Sequence, residues 1–290
     1  VKIVIHRRFF MKKSIWFDLL KLLAIGAAIW AVFTFIPLFP KTPKLDFSID
    51  YEEKLGNIIV EDILANNPGF GELKNPALDS AMSIITKRLT DNIGLTDYQY
   101  HIRVIENPEV NAFTLPGGNI FVFSGLMEFS EHPEEVAAVL AHEMGHVEKR
   151  HVVSKLIKEL GLAFIIGILT GGDPVVITEI GKTVLSTVFD REQEREADQF
   201  GLELLTKSKV SPQSIASFFR RLERGKGTYH KSLEILMTHP HVNSRIKASM
   251  EYKTPENFKA VDFGIDWKVV KENLRVSDKQ PARTTVQSGG

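Results

Sequence analysis

The chain predicts an α+β domain, mostly helical with one small β-sheet, behind a single N-terminal transmembrane helix. Three observations carry that expectation. Helical spacing of apolar residues recurs in long segments between residues 77 and 224. Strand-like alternation is confined to two short stretches, residues 101–105 and 120–123. Residues 22–39 run for eighteen positions without a charge, just enough to span a bilayer.

Composition narrows the function classes. Lys plus Arg total 36 and Asp plus Glu total 36, a formal charge of zero, which argues against a nucleic-acid partner. Hydrophobic residues make up 43% of the chain and charged residues 25%, as in a globular protein. There is no cysteine, so disulfides, thiolate nucleophiles, a lipoprotein anchor and Cys-ligated zinc are excluded. Any metal must be held by His, Asp or Glu.

At the N-terminus, residues 1–14 are basic (Arg7, Arg8, Lys12, Lys13) and 15–40 form the expected anchor. Residues 41–275 form the expected globular domain and 276–290 a polar, disordered tail. A cleaved signal peptide would need a small-x-small site, and residues 35–40 (FIPLFP) offer none. A buried core helix is the other alternative. The excess of basic residues before the run places the N-terminus in the cytoplasm and everything beyond residue 40 outside it, in the periplasm of a bacterium. The stretch Met11-Lys12-Lys13 looks like a natural start, and the orientation survives removal of residues 1–10.

Beyond the anchor, residues 40–75 are turn-rich. Residues 77–89 carry a helical stripe of Leu78, Met82, Ile85 and Leu89. Residues 101–105 alternate as a strand, 111–119 read as a loop, and 120–123 as a short strand. Residues 134–160 predict one long helix, opened by Ser130 and Pro133 with Glu134 and Glu135 in its first turn. Residues 161–170 are apolar but too short to span a membrane, and suit a core or surface-dipping segment. Further helices are expected at 184–205 and 212–224.

The chemistry gathers in Ala141-His142-Glu143-Met144-Gly145-His146. On a helix His142 and His146 leave the same face, as two ligands of one tetrahedral ion must. Glu143, about 100° round from His142, reaches a water on the metal without ligating it. The metal lowers that water's pKa and Glu143 takes its proton.

For a third ligand, a metzincin pattern would need Gly and His where Lys149 and Val152 stand. His151 lies on the wrong side of a continuous helix and reads as a solvent or capping histidine. A carboxylate from another helix remains. In residues 190–201, Glu194 and Asp198 share a face, so Glu194 can bind metal while Asp198 orients a ligand histidine. Glu192 and Glu196 point elsewhere.

The HEMGH motif followed by Glu-x-x-x-Asp in residues 191–201 resembles the gluzincin peptidases that include HtpX, BepA, the mitochondrial Oma peptidase and the CAAX prenyl proteases. Residues 111–126 (NAFTLPGGNIFVFSGL) and 238–246 (THPHVNSRI) are similar to the family's strand-and-loop and His-Pro…Arg-Ile segments. The matching order covers about half the chain, and the single anchor fits the extracytoplasmic type. The resemblance implies a zincin-like domain with one zinc per chain, His142, His146 and Glu194 as ligands, and Glu143 as general base.

The expected reaction is peptide hydrolysis, with Arg245 a candidate stabiliser of the oxyanion. Asn119, Ile120, Phe121 and Val122 are expected at a free strand edge that an extended polypeptide could extend by β-augmentation. Membrane or envelope proteins, unfolded or misassembled, are the expected substrates. The alternatives are a chaperone-like assembly factor and a hydrolase of non-peptide amides. His239, stiffened by Pro240, is expected to occupy the zinc's fourth position at rest and to leave when substrate enters. A substrate-binding or helix-capping His239, or His241 in its place, are the other readings.

Overall fold

The computed structural model of the chain describes residues 18, 20–26, 47–67, 69–225, 235–239 and 242–277. It divides into two units, Val1–Phe47 and Ser48–Gly290. In the first, residues 18 and 20–26 are helical and exposed. The rest of the expected basic segment and anchor lies outside the described residues, as does the expected tail beyond residue 277. No helix among the described residues is long and apolar enough to cross a membrane.

The second unit is mostly helical with one four-stranded sheet. Helix α1 (Ile49–Asn66) starts at Ser48, whose side chain accepts the Tyr51 N–H. Strand β1 (Gly71–Glu72) follows. Helix α2 (Pro76–Thr90) has Pro76 in its first turn and Asn75 as N-cap. It buries the stripe its spacing predicts: Leu78, Met82, Ile85 and Leu89.

Strands β2 (His101–Glu106), β3 (Ala112–Leu115) and β4 (Asn119–Phe123) complete the sheet, in the order β1-β2-β4-β3. Strand β4 is parallel to β2 and antiparallel to β3. Two positive-φ glycines, Gly117 and Gly118, turn the β3–β4 hairpin. A Cβ on Gly117 would stand 2.5 Å from the Glu53 Cα, so no other residue fits this hairpin against α1.

Two expectations fail here. Residues 112–115 are a strand rather than loop. The strand 120–123 has no free edge, because β4 pairs on both sides. Periodicity could not find β3, a four-residue strand buried on both faces, which shows no polar–apolar alternation.

Helices α3 (Ser124–Phe129) and α4 (Pro133–Glu148) come next. Nearly all of α4 is buried, and it forms the spine of the core. The expected single helix over 134–160 is two. Arg150 adopts a left-handed conformation (φ 56°, ψ 33°), and the chain restarts as α5 (His151–Leu160). A left-handed non-glycine residue costs about 1–2 kcal/mol, and tertiary contacts offset it. The Arg150 Nε and Nη2 both donate to the buried Glu52 Oε2 on α1, each at 3.0 Å, and the Tyr98 hydroxyl donates to the same oxygen at 3.1 Å.

Helices α6 (Leu162–Leu169) and α7 (Pro174–Leu185) follow. The apolar segment 161–170 is amphipathic only in placement: Ile165, Ile168 and Leu169 are buried while Phe164 and Ile166 are exposed. Helix α8 (Arg191–Lys207) opens with an Asp190–Gln193 capping box, later than the expected start at 184. Helices α9 (Gln213–Gly225), α10 (Ile235–Thr238), α11 (Val242–Glu251) and α12 (Trp267–Ser277) complete the unit.

The pairing of α4 with α8 is what positions the site. A Cβ on Gly145 would lie 2.8 Å from the Ala197 carbonyl oxygen, and one on Gly201 would lie 3.2 Å from the His142 nitrogen. The two backbones approach this closely because small residues face each other across the crossing.

Candidate metal centre

His142 and His146 leave one face of α4 with their Nε2 atoms 3.0 Å apart. From α8, Glu194 brings Oε1 to 3.5 Å from His146 Nε2 and Oε2 to 3.7 Å from His142 Nε2. From the end of α10, His239 places Nδ1 2.8 Å from Glu194 Oε1 and 3.2 Å from His142 Nε2. One ligand atom from each of the four residues lies within 4.8 Å of the others, and all four are buried.

Donors about 2.0–2.1 Å from a tetrahedral zinc stand about 3.3 Å apart, so the spacing fits that ion. Burial holds the His146 imidazole well below its usual pKa, leaving it neutral and its lone pair available. Burial would raise the Glu194 pKa. The charge on His239 and the hydrogen bonds of His146 and His239 outweigh it and hold the group well below the carboxylate range. Burial by itself would lower the His239 pKa, but the charges of Glu143 and Glu194 raise it.

Glu143 points to the same place and takes no part in the ligand set. Its Oε2 lies 2.8 Å from the Thr114 hydroxyl on β3, which is also 3.0 Å from the Glu143 carbonyl oxygen. Its Oε1 is buried without a hydrogen-bond partner, 3.4 Å from His239 Nε2. An unsatisfied buried carboxylate oxygen is costly unless something comes to it. Glu194 Oε2 is unsatisfied in the same way.

A further set of side chains backs the candidate ligands. Asp198 Oδ1 lies 3.0 Å from His142 Nδ1 and accepts the Arg245 Nε–H at 2.8 Å. Burial would raise the Asp198 pKa, but Arg245 and His142 outweigh it and the group stays ionised. Arg245 is itself buried, stacks over Phe219 at 4.4 Å, and brings Nη1 to 3.6 Å from Glu194 Oε2.

The structure thus brings together His142, Glu143, His146, Glu194, Asp198, His239 and Arg245. It keeps apart the four residues expected at a strand edge. Asn119 donates to the Pro116 carbonyl and accepts from Arg103; Ile120 and Val122 lie in the core; Phe121 packs on Phe113.

His151 requires correction. It is buried, not solvent-facing, with Nδ1 2.9 Å from His146 Nδ1 and Nε2 3.0 Å from Glu196 Oε2. A continuous helix would put it on the wrong side, and the break at Arg150 turns it back. Thr114 was also missed, inside the segment read as loop, as was Phe189, stacked on His146 at 3.8 Å. A threonine on a strand without alternation and an aromatic in a loop carry no sequence signal of that kind.

Residues 76–253 match peptidase family M48. The chain belongs to that family. M48 peptidases are zinc-dependent, and the donor set here suits one zinc per chain. The M48 relatives include the mitochondrial metalloendopeptidase OMA1 of Schizosaccharomyces pombe, 27% identical over 75% of this chain and 66% of its own length. The β-barrel assembly-enhancing protease of Yersinia pestis is 29% identical over 69% of this chain and 43% of its own. OMA1 of Arabidopsis thaliana is 34% identical over 53% and 31%. The chain thus spans less than two thirds of the length of these M48 relatives.

Proposed function

We propose that the protein is a zinc-dependent endopeptidase that cleaves membrane or envelope proteins, unfolded or misassembled ones in particular. The observation that carries this reading is Glu143 Oε1: a buried, ionisable oxygen with no hydrogen-bond partner beside a His–His–Glu cluster. Zinc held by His142, His146 and Glu194 would supply Lewis acidity and lower the pKa of a water. Glu143 takes the proton from the attacking water and returns it to the leaving amine, while Thr114 fixes the carboxylate's other oxygen. Asp198 holds His142, and Arg245, whose Nη1 has no hydrogen-bond partner, is the cation available to the developing oxyanion.

His239 is the group that closes the site at rest. Its Nδ1 sits among the ligand atoms, so substrate entry requires it to leave. For an extended substrate, β3 is the sheet's edge strand on the side of Thr114 and Glu143, which moves the β-augmentation reading from β4 to β3. The names of the relatives, a mitochondrial metalloendopeptidase and a β-barrel assembly-enhancing protease, support membrane or envelope proteins as substrates. The uncharged run at residues 22–39 supports a single anchor, with an N-terminus in the cytoplasm and the peptidase domain outside it.

The test is degradation of casein by the full chain alongside its zinc content. Glu143→Gln should keep the zinc and lose hydrolysis. A variant as active as wild type refutes the peptidase reading, and a variant that still supports envelope assembly in cells would favour a chaperone-like assembly factor.

A further inference from the structure

We propose that His151 and Glu196 position the ligand His146, and so set zinc affinity, through an imidazole–imidazole–carboxylate relay that runs from the metal site to the surface. The inference rests on the reading of His146 as a zinc ligand.

One arrangement of protons satisfies every contact in the relay. His146 turns Nε2 into the ligand cluster, so that nitrogen must carry a lone pair and the proton must sit on Nδ1. The Nδ1 is 2.9 Å from His151 Nδ1, which must therefore accept. That puts the His151 proton on Nε2, and Nε2 lies 3.0 Å from Glu196 Oε2, an acceptor with no other possible role in the pair. Reversing the His151 tautomer would set two N–H groups head to head at His146 and two lone pairs against each other at Glu196.

Burial also gives the relay a direction. The His146 side chain is fully buried, the His151 side chain 5% exposed, and the Glu196 side chain 42% exposed. The other helical ligand is held differently: His142 Nδ1 faces Asp198, a buried carboxylate already committed to Arg245. One ligand histidine therefore rests directly on an interior ion pair, and the other on a second imidazole whose carboxylate meets water. A metal-ligating histidine donates its other N–H to a partner that fixes its ring and tautomer. At His146 that partner is His151, and Phe189 stacks on the face of the same imidazole at 3.8 Å.

The relay is built by the helix break. On an unbroken helix His151 would lie about 140° round from His146. Arg150, held left-handed by Glu52 and Tyr98, ends α4 and starts α5 with His151 as its first residue. Neither the HExxH motif nor the Glu194–Asp198 spacing contains this geometry.

The test is zinc affinity of the purified full chain, by competition with a chromogenic chelator, beside thermal melting of the metal-free form. His151→Phe, which fills the space and offers no acceptor, should bind zinc about 10–100-fold more weakly. His151→Asn keeps an acceptor where Nδ1 stood and should recover much of that loss. Glu196→Gln, on the half-exposed end, should weaken binding a few-fold without changing the metal-free melt. In the folded wild type, nitrogen NMR should find His151 protonated on Nε2. Wild-type affinity in a folded His151→Phe overturns the relay, as does His151→Asn no better than Phe, or a His151 protonated on Nδ1. If His151→Phe does not fold, Glu196→Ala decides: unchanged zinc affinity overturns the proposal. Full zinc occupancy in His146→Ala would instead overturn the ligand assignment beneath it.

Discussion

Helix α4 keeps Glu135, His142, Glu143 and His146 out of solvent, and α8 adds Glu194 and Asp198. Helices α6 and α7 do the reverse, turning Phe164, Ile166 and Val175 outward. Both departures from the usual division of polar and apolar residues carry a cost, and they are settled differently. In the first pair nearly every buried charge meets a partner: Glu194 meets His239, Asp198 meets Arg245, and Glu135 meets Arg221. In the second pair the exposed apolar groups make no such specific contacts. Substitutions should therefore act through chemistry and geometry in α4–α8, and hardly at all on the outer face of α6.

The largest effects should come from the buried polar set. Glu194→Ala and His146→Ala should lose the zinc itself, read as metal per chain after dialysis, and activity with it. Glu143→Gln should retain zinc and lower hydrolysis by about 10²–10⁴-fold, since only the proton acceptor is removed. If Glu194→Ala keeps full zinc, the carboxylate ligand is another residue and the α4–α8 account of the site breaks.

Two glycines sharpen the contrast at the level of backbone. A Cβ on Gly145 would meet the Ala197 backbone at 2.8–2.9 Å, whereas one on Gly167 in α6 would meet nothing within 4 Å. Gly145→Ala should thus cost about 1–3 kcal/mol by forcing the two ligand helices apart, and zinc affinity should fall with it. Gly167→Ala should be neutral or stabilising by up to about 1 kcal/mol, the ordinary helix-propensity gain. Chemical denaturation of both variants measures the pair. Equal effects would mean that the α4–α8 crossing is not held by close approach.

How much of this could be read beforehand follows the same division. His142, Glu143 and His146, and the Glu194–Asp198 face, were legible because their spacing is that of a single regular helix, where angle follows from sequence separation. His151 was misread because its position depends on Arg150, whose conformation is held by Glu52, 98 residues away. Strand β3 was missed because Ala112–Leu115 is buried on both faces and has no period to detect. The free edge expected at Ile120 and Phe121 depended on which strand lies outermost, and local pattern does not encode strand order.

The end of α4 offers a pH test. The Tyr100 hydroxyl donates to Glu148 Oε1 at 2.7 Å, and Tyr98 donates to Glu52. Burial, then the adjacent carboxylate, pushes both phenols above their usual pKa. A folded pKa raised above the unfolded value near 10 gives stability that is complete below pH 10 and lost as pH rises beyond it. Stability should therefore fall above pH 10 by up to about 1.4 kcal/mol per pH unit for each phenol, and the melting temperature with it. Tyr100→Phe should flatten that fall; an unchanged slope would remove Tyr100 from the explanation.

The smallest effect should come from the outer face of α6. Phe164 is 45% exposed and Ile166 38%, while Ile168 on the inner face is 5% exposed. Truncating a buried isoleucine removes packed methyl groups and leaves a cavity, so Ile168→Ala should cost about 2–5 kcal/mol. Phe164→Ser with Ile166→Ser removes surface that water already reaches, and each change should stay within about 0.5 kcal/mol. Zinc content and hydrolysis should not change in the double variant, because neither side chain belongs to the α4–α8 set. Comparing the three variants in one urea titration separates the faces of a single eight-residue helix. A double variant as destabilised as Ile168→Ala would mean that the outer face is covered in the folded protein, and that the contrast between the two helix pairs is weaker than their exposures indicate.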